Sequence, residues 1–247
     1  MDPLTVAAAS GLRSRLESLD LLANNLANSA TSGYKGDSEF YGLYTSAEGR
    51  DPTTGDASFS LPVVERQWTD FSQGTLLPTG SQLDVAITGH GFLAVNGPSG
   101  PLYTRNGNLQ ASASGQLTTA DGYAVRGADG NHIQVTASKP IEITPDGTVN
   151  QDGQAVGQIG LVDFKNTALL KKMGGTYFQN PDSSNQPAAA TGATLQQGKL
   201  ESSNVPVAEA AMRLVGTMRQ FEMLQKAIGI SADMNRKTID EVARVAT

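Results

Sequence analysis

The chain has 247 residues, with 24 acidic and 18 basic side chains and a formal net charge of −6. This acidic balance argues against a nucleic-acid-binding protein, which normally presents a basic face. The sequence contains no cysteine, which excludes disulfide bonds, thiol catalysis and cysteine-ligated metals. The length allows one large domain or two small ones.

The N-terminal region has the pattern of an amphipathic helix. Between residues 4 and 30, apolar side chains recur at steps of three and four: Ala9, Leu12, Leu16, Leu19, Ala23, Leu26 and Ala30. This spacing predicts a helix, and Gly33 can end it by adopting a left-handed conformation. Charged residues such as Arg13 and Asp20 interrupt any apolar core of a cleavable signal peptide. We expect a protein that does not span a membrane and that, if exported, keeps its N-terminus.

The middle of the chain favours β structure. Residues 34–82 and 166–203 are rich in turn residues and predict an extended connector with short strands. Residues 83–165 contain short apolar runs separated by the Asp-Gly dipeptides 121–122, 129–130, 146–147 and 152–153. Because Asp-Gly provides the positive φ angles of tight hairpins, this region predicts a mainly antiparallel β domain.

The C-terminal region predicts a second, longer helix. Asn204 is a suitable N-cap and Pro206 fits the first turn. Two heptad series follow, most of whose members are apolar: Ala211, Met218, Gln225, Ala232, Ile239 and Ala246, and Leu214, Phe221, Ile228, Asn235 and Val242. A single apolar stripe of this length needs a covering partner.

These patterns together predict an α+β fold with long N- and C-terminal helices paired as a coiled-coil stalk that encloses the β domain. The predicted division is residues 1–33 with 204–247 as the helical domain, 34–82 with 166–203 as the connector and 83–165 as the outer β domain. The predicted assembly interface consists of Leu12, Leu16, Leu19 and Leu26 opposite Leu214, Met218, Phe221 and Ile228.

The residues give no indication of chemistry. Residues 89–94 have the glycine spacing of a dinucleotide fingerprint, but a strand follows where that motif requires a helix. His90 and His132 are the only histidines, and neither belongs to a nucleophile-elbow or metalloprotease motif. We therefore expect no catalytic residue, no cofactor and no metal, and a protein that is not an enzyme.

Four segments carry a resemblance to a known family. Residues 23–35 read ANNLANSATSGYK, residues 71–95 contain FSQGTL and LDVAITGHGFLAV, residues 103–107 read YTRNG, and residues 197–205 read QGKLESSNV. In this order they resemble the signatures of bacterial flagellar rod and hook proteins. The family positions matched in the first, second and last of these segments are Asn24, Asn25, Leu26, Ala27, Asn28, Thr31, Gly33, Tyr34, Lys35, Leu83, Asp84, Val85, Gly89, Gly91, Phe92, Ser203, Asn204 and Val205.

The resemblance implies a structural subunit of the flagellar basal-body rod, the hollow drive shaft that transmits torque to the hook and surrounds the export channel. The implied partners are other copies of the chain, other rod proteins and the flagellar type III export apparatus, and the implied location is the periplasm-spanning rod. The run at residues 219–223 favours the proximal rod type, with the distal type as the alternative. A β-rich hydrolase on a helical stalk and a closed oligomeric binding module remain competing hypotheses from other classes.

Overall fold

The computed structural model describes residues 3–45, 60–136 and 138–245. Within these ranges the chain forms two α-helices and eighteen β-strands, and it divides into two compact units. Unit 1 comprises residues 1–27, 37–68 and 206–247, and unit 2 comprises residues 28–36 and 69–205.

Unit 1 contains both helices and a two-stranded ribbon. Helix α1 spans Pro3–Ala27 and helix α2 spans Val207–Val245, and the two are in contact. The ribbon consists of β1 (Asp37–Thr45) and β2 (Ser60–Thr69). Strand β1 also lies against α1, where Ser18 Oγ donates a hydrogen bond to Glu39 Oε1 at 2.7 Å.

The predicted fold class, with long terminal helices paired as a coiled-coil stalk around a β domain, is wrong. The described chain is mainly β, and its helices have unequal lengths of 25 and 39 residues. The buried positions of α1 include Ser14, Ser18 and Asn25, where a coiled coil requires large apolar side chains. Leu16 and Met218, both assigned to the coiled-coil contact, are each 48% exposed. The leucine periodicity is real, but the most buried face of α1 is a neighbouring one, on which Leu22 lies among small and polar residues.

Unit 2 is antiparallel throughout its strand pairs. Its largest sheet has nine strands, seven of them in the order β14-β15-β6-β5-β9-β8-β7, with β13 pairing to both β5 and β16. A three-stranded sheet, β10-β11-β12, and the pairs β17-β4 and β18-β3 complete the unit. The strands are β3 Leu76–Pro78, β4 Val85–Thr88, β5 Phe92–Gly97, β6 Gly100–Thr104, β7 Leu109–Ala111, β8 Leu117–Thr119, β9 Ala124–Val125, β10 Ile141–Ile143, β11 Thr148–Gln151, β12 Gln154–Gln158, β13 Leu161–Asp163, β14 Lys171–Gly174, β15 Tyr177–Gln179, β16 Ala188–Ala189, β17 Thr194–Gln197 and β18 Lys199–Glu201.

Two apolar clusters fill the interior of unit 2. The larger is mainly aliphatic and draws buried side chains from nine strands, including the fully buried Val85, Leu117 and Val125. The smaller is aromatic, with Phe92 and Phe178 packed edge-on against Phe71 at centroid distances of 5.4 and 5.0 Å. Such ring pairs add to the stabilisation that burial provides.

Tyr177 connects distant strands of the large sheet. Its hydroxyl donates to Asp121 Oδ2 at 2.6 Å and lies 3.0 Å from Thr119 Oγ1 on β8. Three strands separate β15 from β8 in the sheet order, so the sheet must curve strongly to bring these groups together. Burial, assisted by the Asp121 carboxylate, raises the pKa of Tyr177 well above its ordinary value.

We expect the stability of the protein to fall as the pH rises above about 10, where an unfolded tyrosine ionises. A group whose pKa is raised by folding stabilises the folded state below its unfolded pKa and loses that effect as the pH rises towards its folded pKa. Urea denaturation between pH 8 and 11 measures the free energy of unfolding. This free energy should therefore decline less steeply with pH for Tyr177→Phe than for the wild type. Tyr123→Phe, which removes the hydroxyl of the ring that packs edge-on against Tyr177 at a centroid distance of 5.1 Å, is the control. Equal slopes for Tyr177→Phe and the wild type would contradict the prediction.

Candidate assembly site

A buried ionic cluster of Lys35, Arg105 and Glu201 lies at the meeting point of three distant segments of unit 2. Lys35 Nζ is 2.5 Å from Glu201 Oε1, and Arg105 Nε is 2.9 Å from Glu201 Oε2. The side chains of Lys35 and Glu201 are fully buried, and that of Arg105 is 4% exposed. Ionised groups this deep in a protein are stable only when they are paired and fully hydrogen-bonded.

Backbone groups complete the hydrogen bonding of the cluster. Lys35 Nζ also donates to the Ser72 carbonyl at 2.6 Å, and the Gly74 amide donates to Glu201 Oε1 at 2.9 Å. Arg105 donates to the carbonyl oxygens of Gly89 and Gly91 at 2.8 and 2.9 Å. Two cations and one carboxylate leave one net positive charge in the cluster. The carbonyl oxygens that accept from Lys35 and Arg105 partly offset this charge. Burial lowers the pKa of Lys35, whereas the Glu201 carboxylate acts to raise it.

The segments that resemble the rod and hook family converge on this cluster. Lys35 ends the first segment, Arg105 lies in the third and Glu201 lies in the fourth. The two glycines of residues 89–91 present their carbonyl oxygens to Arg105, which gives this glycine pair a structural role. Gly33 has φ of 70°, and a Cβ there would lie 2.4 Å from the Asn106 amide nitrogen, so only glycine fits this close approach.

Asn204 organises the neighbouring backbone. Its Oδ1 accepts from the Gly36 amide at 2.8 Å, and its Nδ2 donates to the Asp70 carbonyl at 2.8 Å. The Asp70 amide donates in turn to the Gly36 carbonyl at 2.9 Å. One side-chain amide thus joins three segments of unit 2 that lie next to the points where the chain passes into unit 1. The sequence predicted Asn204 as the N-cap of the C-terminal helix. Its side chain instead forms the network described above.

Asn25 has a comparable position within unit 1. Its Nδ2 donates to the Asp37 carbonyl at 2.7 Å, and the Asp37 amide donates to its Oδ1 at 2.9 Å. The side chain therefore satisfies both backbone groups of the first residue of β1. Such paired bonds explain how a side-chain amide can be buried on this helix.

The other predicted family positions differ in exposure. Buried with Asn25, Gly33 and Lys35 are Tyr34, Asp84, Val85, Gly91 and Phe92. Half-buried are Leu26, Asn28, Thr31, Leu83, Gly89, Ser203, Asn204 and Val205, and exposed are Asn24 and Ala27. Most of these positions therefore lie inside or at the edge of a packed unit.

The predicted interface residues differ in exposure. Six are half-buried, namely Leu12, Leu19, Leu26, Leu214, Phe221 and Ile228, while Leu16 and Met218 are exposed. Leu224, which the prediction omitted, is half-buried, and a Cβ at Gly11 would lie 3.7 Å from its Cδ1. Helix α2 therefore contacts α1 partly at a glycine. The spacing of the leucines alone does not predict this contact.

Sequence reasoning also missed Arg105 and Glu201 as members of a site. Both lie in segments that carry the family resemblance, but periodicity cannot pair residues 96 positions apart. Two cations and one carboxylate within the segments that carry the family resemblance are the signal that could have indicated a buried cluster. His90 is exposed, and His132 Nδ1 lies 3.3 Å from Asn96 Nδ2. Among the described residues, no helix combines the length and the apolarity that a membrane span needs.

We expect Glu201→Gln to destabilise the protein by roughly 3–5 kcal/mol, because it leaves two buried cations without a counter-charge. Chemical denaturation of the wild type and the variant measures the loss. Lys35→Met combined with Glu201→Gln removes one cation together with the anion, so the double variant should lose less than the sum of the two single variants. A Glu201→Gln variant within about 1 kcal/mol of the wild type would contradict this view of the cluster.

Similarity to known proteins extends along most of the chain, including the segments that meet at the ionic cluster. The profile of the flagellar hook protein FlgE/F/G D1 domain matches residues 86–151, and the profile of the flagellar basal body rod FlgEFG protein C-terminal region matches residues 196–241. The flagellar basal-body rod protein FlgF of Caulobacter vibrioides is 30% identical over 92% of both chains. The flagellar basal-body rod protein FlgG of Agrobacterium fabrum is 31% identical over 92% of this chain and 94% of that relative. The FlgG of Buchnera aphidicola subsp. Schizaphis graminum is 30% identical over 96% of this chain and 98% of the relative. The chain belongs to the flagellar basal-body rod protein family and is a structural subunit of the rod.

Proposed function

We propose that this rod subunit binds its neighbours through an apolar surface of α2 that faces away from the half-buried positions of the same helix. Met212, Met223, Ile230 and Met234 form this surface, which we call the outer stripe. Met212 is 70% exposed and Ile230 is 62% exposed. The family is structural, which implies that the chain is not an enzyme.

Helix geometry separates the outer stripe from the inner face. Successive residues are about 100° apart around the axis, so Met223 lies about 200° from Phe221. Leu214, Phe221 and Ile228 are half-buried, whereas all four outer-stripe side chains are exposed. An apolar surface on both sides of one helix requires two sets of partners. The inner face packs within the chain, and the outer stripe is the part that we assign to neighbouring subunits.

The composition of the outer stripe suits contact with related but different helices. Three of its four residues are methionines, whose flexible thioether side chains adapt to irregular surfaces. Burial of each large apolar side chain contributes roughly 1.5–3 kcal/mol, so the stripe could drive association. A contact between two different surfaces of the same subunit, repeated without closure, generates an open helical array. Such an array is the form that a rod requires.

We propose further that the subunit occupies the proximal part of the rod, leaves the cytoplasm through the flagellar type III export apparatus and keeps its N-terminus. The proximal position is suggested by residues 219–223 of α2, whose sequence RQFEM departs from the run found in the distal type. Unprocessed export is suggested by the charged residues that interrupt the N-terminal apolar pattern.

We expect Met223→Asp combined with Ile230→Asp to abolish incorporation into the rod while leaving the subunit folded. Both side chains are exposed, so the charges cost little in the free subunit but would be buried without a partner in the assembly. Immunoblotting of purified basal bodies measures incorporation, and circular dichroism of the free subunit monitors folding. Gln220→Asp, also exposed and on a flank of the same helix, is the matched control. A folded double variant that is incorporated at the normal level would overturn the proposal.

Phe221→Asp on the inner face should also block incorporation, because Phe221 is half-buried and a charge there disrupts packing within the subunit. The two variants should differ in the free protein, where Phe221→Asp should lower the circular dichroism signal of the helices and the outer-stripe variant should not.

Sedimentation of the wild-type subunit adds a second measurement. A monomer supports a subunit that assembles only on a template, whereas a single defined oligomer would favour a closed binding module.

A further inference from the structure

A small open pocket in unit 2 contains a cationic and a phenolic group that the fold leaves available. Its volume is about 280 Å³, and it lies beside β5, β13, β16 and the turn at residues 127–130. Most of its lining is small and apolar, with Ala94, Leu161, Pro187 and Ala188 among the contributors. The polar side chains are those of Tyr103 and Arg126. This volume is just below the range of typical small-molecule sites, so it suits a group the size of one or two small residues.

Arg126 and Tyr103 face the same space. The Arg126 guanidinium bends back over the turn, where a Cβ at Gly130 would lie 3.7 Å from its Nη2. Its charge acts on the Tyr103 hydroxyl: burial raises the pKa of Tyr103, and Arg126 opposes that rise. Within the described ranges, neither the guanidinium nor this hydroxyl has a hydrogen-bond partner in the protein. The pair therefore presents N–H and O–H donors without an acceptor.

Two acidic groups on the adjoining segments, Asp129 and Asp163, accept hydrogen bonds from other donors. Asp129 Oδ1 accepts from the Asn131 amide at 3.0 Å, and Asp129 Oδ2 accepts from Asn131 Nδ2 at 2.8 Å. Asp163 Oδ1 accepts from the Phe164 amide at 2.8 Å. These bonds direct both carboxylates to backbone and amide donors. Among the described residues, no ion pair includes Arg126, although the chain is acidic as a whole.

We propose that this pocket binds the carboxylate of a peptide whose neighbouring side chains are the size of alanine. A guanidinium matches a carboxylate with two parallel hydrogen bonds, and the Tyr103 hydroxyl can donate a third. The alanine, glycine and proline walls accept a methyl group but leave no room for a large side chain. The carboxylate can come from a chain terminus or from an acidic side chain, and both present the same group to Arg126.

The test is a titration of the full-length, unassembled protein, followed by amide NMR. N-acetyl-Ala-Ala supplies a terminal carboxylate, and N-acetyl-Ala-Asp-Ala-amide supplies a side-chain carboxylate. At least one of them should bind saturably and shift the amides of residues 126–130 and 188–190, and the stronger of the two identifies the source. N-acetyl-Ala-Ala-amide, which has no charge, should bind at least about tenfold more weakly, as expected for the loss of a charge-assisted hydrogen bond.

Arg126→Gln should weaken binding about tenfold or more, whereas Arg126→Lys, which keeps the charge but not the fork, should have an intermediate effect. Lys139→Gln, at an exposed cation that pairs with Asp152, is the matched control and should not alter binding. Unchanged affinity in Arg126→Gln, equal affinity for the neutral amide, or no binding of either acid would overturn the proposal. Because binding is measured on the free subunit, its outcome is independent of whether the outer stripe mediates rod assembly.

Discussion

The buried ionic cluster is the constraint on which unit 2 depends. Its carboxylate and two cations have almost no access to water, and each would be strongly destabilising if left alone. Lys35 and Glu201 are 166 positions apart in the sequence. Their pairing therefore requires the whole intervening β region to have brought the two segments together. The cluster stabilises only the completely folded unit, because partial folding would leave a charge desolvated without its partner.

The same convergence explains the close backbone packing around the cluster. Gly74 approaches so tightly that a Cβ would lie 2.0 Å from the Ser202 carbonyl oxygen. This contact and the one at Gly33 place backbone against backbone, and the Gly74 amide adds its hydrogen bond to those that Glu201 accepts from the two cations. The parts of these segments that belong to unit 2 therefore meet at one site. What resembles a series of separate motifs along the sequence is a single three-dimensional contact.

Local physics made part of the fold predictable from the sequence. Gly122, Gly130, Gly147 and Gly153, the glycines of the four Asp-Gly dipeptides, all have positive φ, as expected for the turns that they predicted. The fold class was wrong because leucine spacing reveals a stripe but not which face packs. In α1 the buried face contains Ser14, Ser18 and Asn25, and only contacts with α2 and β1 give these residues a structural role. The three-part domain division and the eight-residue assembly interface stay predictions.

Helix α2 shows why one sequence pattern can contain two functions. The heptad series predicted a single apolar stripe, and its members Leu214, Phe221 and Ile228 are half-buried. The residues of the outer stripe belong to another face of the helix, which the heptad series does not include. A subunit that is stable alone would gain nothing from four large apolar side chains in water. A subunit of a rod has a reason to present them, because the surface that costs solubility in the free protein is the surface that an assembled neighbour can cover.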